Sequence, residues 1–249
     1  MAAAHTHNST VPYRQIRAHY DDETITVYQA YNRAIAAAAV KDQKLHASPL
    51  FKPTRMTWIK PSWAWMLYRA GYSYKDPGQE RILALRMRHV DFLGLLQRAV
   101  LTSGHGGAKA GPELEPETPQ AAPQESDATN PPPADSDKET KPGRRKHRDP
   151  AAGKSPDVKV QWDPERTVRL DKLEYRSLQV GIPAALSSEW TEKWIVSIED
   201  VTDRARELKR VLDEEPDVSD MELVKRGLVP VERPFDVSEE LQERLKMVI

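Results

Sequence analysis

The 249-residue chain contains no cysteine. That excludes disulfide frameworks and thiolate zinc sites, and it argues against a secreted or redox role. No apolar run approaches the roughly 18–20 residues that span a bilayer, so no membrane association is expected. Met1 to Thr10 lacks a charged segment followed by an apolar stretch. It reads as a short disordered leader, not a signal peptide. The phosphate loop G-x-x-x-x-G-K-[ST] is missing, as are G-x-G-x-x-G, H-E-x-x-H and G-x-S-x-G. Of the seven histidines, His5, His7, His105 and His147 lie in the leader, in the proline-rich stretch described next, or at its edge. No metal is therefore expected. The default is an intracellular, cytoplasmic protein.

Residues 102–157 hold no aromatic residue, yet carry 10 of the 20 prolines and 6 of the 11 glycines. With so little apolar surface to bury, the stretch cannot offset its ordering entropy and is expected to be disordered. Its basic cluster R-R-K-H-R, Arg144 to Arg148, suits nuclear localisation or a nucleic-acid patch, or simply a solubilising linker. The flanking segments, 11–101 and 158–249, are each too small to fold separately. They are expected to be two halves of one α+β domain interrupted by an insertion. The first half carries 14 Lys and Arg against 7 Asp and Glu, the second 15 against 21. Such halves attract each other within a fold, and the basic one also suits a nucleotide or nucleic-acid partner.

T-I-T-V-Y-Q-A-Y, Thr24 to Tyr31, alternates with period two and predicts a strand. Asn32 caps an alanine-rich helix reaching about Leu45. Arg81 to Arg88 predicts a strand and His89 to about Leu101 a helix. Val158 to Trp162, Tyr175 to Gly181 and Trp194 to Ile198 read as strands, with D-P-E-R at Asp163 to Arg166 as a turn. Thr202 is expected to cap a helix to about Leu212. Ser219 with Glu222, and Asp236 with Glu239, read as capping boxes. The absence of regular β-α-β alternation points to α+β with mixed or antiparallel sheet.

The densest block is R-M-T-W-I-K-P-S-W-A-W-M-L-Y-R-A-G, Arg55 to Gly71, with three of the six tryptophans. Pro61 keeps Lys60 extended, Ser62 is a good N-cap and Gly71 sits where a C′ glycine belongs. Trp63, Met66, Leu67 and Ala70 share one face; Trp65, Tyr68 and Tyr72 cover the other. A helix apolar nearly all round is expected to be buried. Lys60 and Ser62 stand at its N-terminus, where free N–H groups and the dipole favour a phosphate. A structural lysine and N-cap is the other reading. Arg69 belongs to the same block. Arg14 and Arg17 offer forks for phosphate or carboxylate, with Asp21, Asp22 and Glu23 as alternative partners. Tyr28, Trp63 and Trp65 are candidate pocket walls, and Gln179 is a polar position on a late strand.

The blocks R-Q-I-R-A-H-Y-D-D-E-T-I-T-V-Y-Q-A-Y, M-T-W-I-K-P-S-W-A-W-M-L-Y-R-A-G-Y, Q-W-D-P-E-R, Y-R-S-L-Q-V-G and E-R-P-F-D-V resemble the DUF4291 family of bacteria and fungi. The resemblance covers both halves, and the proline-rich insertion departs from the compact family form. It brings no catalytic residues. R-S-L-Q-V-G-I-P followed by W-I-V-S-I-E-D is similar in style to late strands of ADP-ribosyltransferase-like folds. That likeness implies NAD as a ligand and Gln179 near a ribose. The usual early His or Arg on the first core strand is absent, and the warrant is one of fold alone. The expected function is an enzyme acting on a nucleotide-like substrate (NAD or ATP) or a nucleic acid, with phosphates on Lys60, Arg14 and Arg17. The alternative is a non-catalytic nucleotide or nucleic-acid binder.

Overall fold

The computed structural model describes residues 11–102 and 157–247; the leader, most of the insertion and the Arg144 to Arg148 cluster lie outside them. The first stretch runs β1 (Arg17–Ala18), β2 (Thr24–Tyr31), α1 (Arg33–Asp42), β3 (Thr57–Ile59), α2 (Trp63–Ala70), β4 (Arg81–Arg88), α3 (His89–Gln97) and β5 (Ala99–Leu101). The second adds β6 (Val158–Arg166), β7 (Lys172–Ile182), α4 (Ser187–Glu189), β8 (Ile195–Asp200), α5 (Thr202–Glu214), α6 (Asp220–Lys225), β9 (Arg233–Pro234) and α7 (Glu239–Arg244). The fold is α+β. No helix among the described residues is long and apolar enough to cross a membrane.

Every sheet contains strands from both stretches. One sheet has the order β2-β4-β8, all antiparallel. The second has the order β3-β7-β6-β5, where only β5 and β6 are parallel. β1 and β9 form a two-stranded antiparallel ribbon. A bridge between Tyr28 of β2 and Lys60, just past β3, links the two larger sheets.

The period-two pattern of β2 and β4 feeds two cores, because successive side chains point to opposite faces. Ile25, Val27, Leu83, Leu85 and Met87 join Val160, Leu178, Val180, Phe92 and Trp190 in the larger core. Tyr28, Ile82 and Ala84 join Trp63 and Leu67 of α2 and Ala205 and Leu208 of α5 in the smaller one. In β6 and β7 the even-numbered residues Val158, Val160, Leu178 and Val180 face the larger core. The odd-numbered set, Gln161, Asp163, Ser177 and Gln179, is polar and shares the opposite face.

Several elements depart from the sequence expectation. Asp163 to Arg166 is not a turn: β6 continues to Arg166, with an irregularity between Pro164 and Arg166. A proline is tolerated in a strand at such a bulge, where its missing N–H breaks no ladder bond. The helix begun at His89 ends at Gln97, and Ala99 to Leu101 turns back as β5. α1 stops at Asp42, with Gln43 left-handed. Thr202 does not cap α5; its hydroxyl accepts the Ile82 N–H at 2.9 Å. Ser238, not Asp236, caps α7 through the Leu241 N–H. A π-helical turn, Trp190–Trp194, precedes β8. α2 itself is buried on the Trp63, Met66 and Leu67 face only; Trp65 is half-buried and Tyr68 exposed.

Candidate functional site

Lys60 is 2 % exposed, a rare state for a lysine. Pro61 and the bridge to Tyr28 hold its backbone extended: Tyr28 N donates to Lys60 O at 2.7 Å, and Lys60 N to Tyr28 O at 3.3 Å. Its Nζ donates to Asp163 Oδ2 at 2.6 Å. The Trp65 ring lies over the ammonium, 3.2 Å from centroid to Nζ. Desolvation wins over Asp163 and brings the lysine down to about 8.

Two further carboxyls meet at the N-terminus of α2. Ser62 caps the helix by accepting the Trp65 N–H at 3.1 Å, and donates its own hydroxyl to Glu165 Oε1 at 2.9 Å. Glu165 also accepts the Arg166 N–H. Glu232 Oε1 takes the Trp63 N–H at 2.6 Å. Burial raises Glu165 above the usual carboxylate range. It raises Glu232 to about 8, with the neighbouring Glu165 charge adding to the effect. Arg17 favours the charged form of both. It donates Nη2 to the main-chain oxygen of Glu232 at 2.9 Å and Nη1 to Gln15. Tyr175, partly buried nearby, is raised by burial and by Glu165.

The helix end that a phosphate was expected to fill is thus occupied by the protein's own carboxyl, Glu232. Lys60 and Ser62 do belong to one polar cluster, but each faces a carboxylate. Arg17 joins them. Gln179 lies on the same sheet face and donates to Gln161 Oε1 at 3.2 Å. Ser177, opposite Asp163 in register, is 5 % exposed, and its Oγ has no hydrogen-bond partner. Trp65 is a wall of this site. Tyr28 and Trp63 are buried at 2 % and 1 % and pack on each other at 5.2 Å. Arg69 stands exposed in the last turn of α2, the far end from Lys60. Arg14 is elsewhere, donating to Lys246 O.

Sequence reasoning missed Asp163, Glu165 and Glu232. The turn assignment hid the first two, although 161, 163 and 165 continue the period-two alternation of β6. Tyr68 and Arg166 were missed as a pair: the guanidinium lies 3.7 Å from the ring centroid, on the outer side of α2. Next to Trp65, at 6.4 Å between centroids, this makes a partly exposed aromatic surface with cations beside it. Buried titratable groups that cost stability and converge on one place make a candidate functional site.

A family model described as a domain of unknown function (DUF4291) matches residues 15–235. That range includes Lys60, Asp163, Glu165 and Glu232. A comparison with curated proteins finds no match.

Proposed function

The chain belongs to the DUF4291 family, and for it we propose an enzyme that performs proton transfer on a nucleotide-like or nucleic-acid substrate at the Lys60, Glu165 and Glu232 cluster. One observation carries the reading: a fully buried lysine, paired to Asp163 beneath Trp65, shares a polar cluster with the buried Glu165 and the half-buried Glu232, two carboxyls whose proton affinity is raised. A carboxyl held protonated near neutral pH is a general acid, and proton transfer from such a group contributes about 10²–10⁴-fold to a rate. Glu232 is that acid. Glu165, hydrogen-bonded by Ser62 and Arg166, is the base. Lys60 and Arg17 supply the positive charge that steadies an anionic transition state.

The nucleotide character is supported by the surface beside the acids. Trp65 and Tyr68 offer rings on which a base stacks, and Arg166 and Lys75 offer cations for phosphate. The same surface supports the second reading, a binder without chemistry, through the basic first half. NAD and ATP are the first ligands to try.

Incubating the purified chain with NAD, ATP, ADP-ribose and short RNA separates the readings. The enzyme reading expects a rise in melting temperature with one of them, kept at high salt, together with a product. Glu232→Gln should keep the thermal shift and lose turnover by at least about a hundredfold. Saturable binding without product leaves the binder; a shift with RNA alone, lost at high salt, places phosphate contacts in charge of it. No shift with any ligand ends both.

A further inference from the structure

Away from the Lys60 cluster, a cleft of about 490 Å³ opens where the start of the described chain meets its end. Its apolar lining includes Phe235, Val237 and Met247, and its polar lining includes Arg14, Gln15 and Gln242. None of Lys60, Asp163, Glu165 or Glu232 lines it. The volume lies within the range of about 300–1,000 Å³ that small-molecule sites occupy.

Arg14 Nη1 donates to Lys246 O at 3.0 Å, while its Nε is buried with no acceptor. No carboxylate pairs with it among the described residues. Arg176 is its partner in an isolated parallel bridge and is likewise without an ion pair there. The two guanidinium carbons stand 5.8 and 5.5 Å from the Tyr13 ring centroid, and Arg176 Nε donates to the Tyr13 hydroxyl at 2.9 Å. Two cations are therefore gathered at one exposed tyrosine beside a cleft of mixed polar and apolar lining. The acid among the lining residues is Asp236, which is exposed and solvated. Guanidinium forks match carboxylate and phosphate oxygens, and a buried N–H without an acceptor is a donor that a bound anion would satisfy.

We propose that this cleft is a second ligand site, distinct from the acid cluster, which takes an amphiphilic organic anion: a carboxylate or phosphate head on Arg14 and an apolar body against Phe235, Val237 and Met247. It does not depend on the function proposed above.

Calorimetric titration of the full chain with octanoate, octyl phosphate and octanol tests it. At least one of the two anions should bind saturably, at least tenfold more tightly than octanol, and the tighter of them identifies the head group. Arg14→Met should weaken the anion at least tenfold and leave octanol unchanged. If Arg14→Met does not fold, Met247→Asp, which leaves the arginine and charges the apolar end, should lose the anion instead. Lys60→Met should bind as the wild type does. Equal binding of octanol and the anions, an anion affinity unmoved by Arg14→Met or Met247→Asp, or no binding at all overturns the proposal.

Discussion

Glu232 and Lys60 depart from their ordinary proton affinities in opposite senses, and each makes stability depend on pH in its own window. An unfolded glutamate titrates near about 4.3. With the folded value at about 8, the native state holds a proton that the unfolded state has released. Stability from this group is complete below the unfolded value and is lost as pH rises through about 8. Glu232→Gln should therefore flatten the fall in stability between about pH 5 and 8, a change on the order of 4 kcal/mol at most, read from urea titrations. Lys60, lowered to about 8, acts the other way: between about 8 and 10.5 stability rises with pH as the unfolded lysine holds the extra proton. Lys60→Met replaces a desolvated charge with an apolar side chain of similar length, and Asp163, 28 % exposed, stays hydrated. The melting temperature should move by no more than about 5 °C while turnover is abolished. A thermal melt and an activity assay on one sample check both. Lys60 and Ser62 were legible in the sequence because proline and serine announce a helix start. Their carboxyl partners were not, since they sit about a hundred residues away and no local pattern links them.

At the scale of elements, α2 is the piece on which the site depends. Gly71 ends it in the left-handed region at φ 54°, and a Cβ there would fall 2.9 Å from the Lys75 Cβ. Gly71→Ala should cost at least about 1–2 kcal/mol in a denaturant titration, from backbone strain with the Lys75 clash added to it. Ser62→Ala removes the cap and one of the hydrogen bonds to Glu165, so it should cost about 1–2 kcal/mol and lower activity with it. The helix was readable because its start, its stop and its apolar face agree. β6 was not readable beyond Trp162, because D-P-E-R carries a strong turn signal that only pairing with β7 overrides. The caps of α5 and α7 failed for a similar reason. Thr202 spends its hydroxyl on a long-range N–H from β4, and Ser238 lies nearer its helix than Asp236.

At the scale of the molecule, α+β architecture was legible from the order of predicted elements, whereas the sheet order was not, since strand partners are chosen by tertiary packing. β5 and β6 flank the insertion and run parallel, with Ala99 opposite Val158. A connection need only return past three residues and cross one strand spacing, roughly 15 Å in all. Replacing residues 104–155 with about eight Gly and Ser should leave the fold intact and the melting temperature unchanged or slightly raised, because a shorter loop costs less entropy to close. Calorimetry of the shortened chain reads this directly.

Because β1, β3, β4 and β5 each pair with a strand from the second stretch, none of the three sheets is complete until residues far downstream have been synthesised. β1 waits longest, for Arg233 and Pro234. The first half therefore emerges from the ribosome with strand edges that stay unpaired until the second stretch follows. Folding is dominated by distant pairings, which makes it slow and leaves the nascent chain dependent on protection from aggregation.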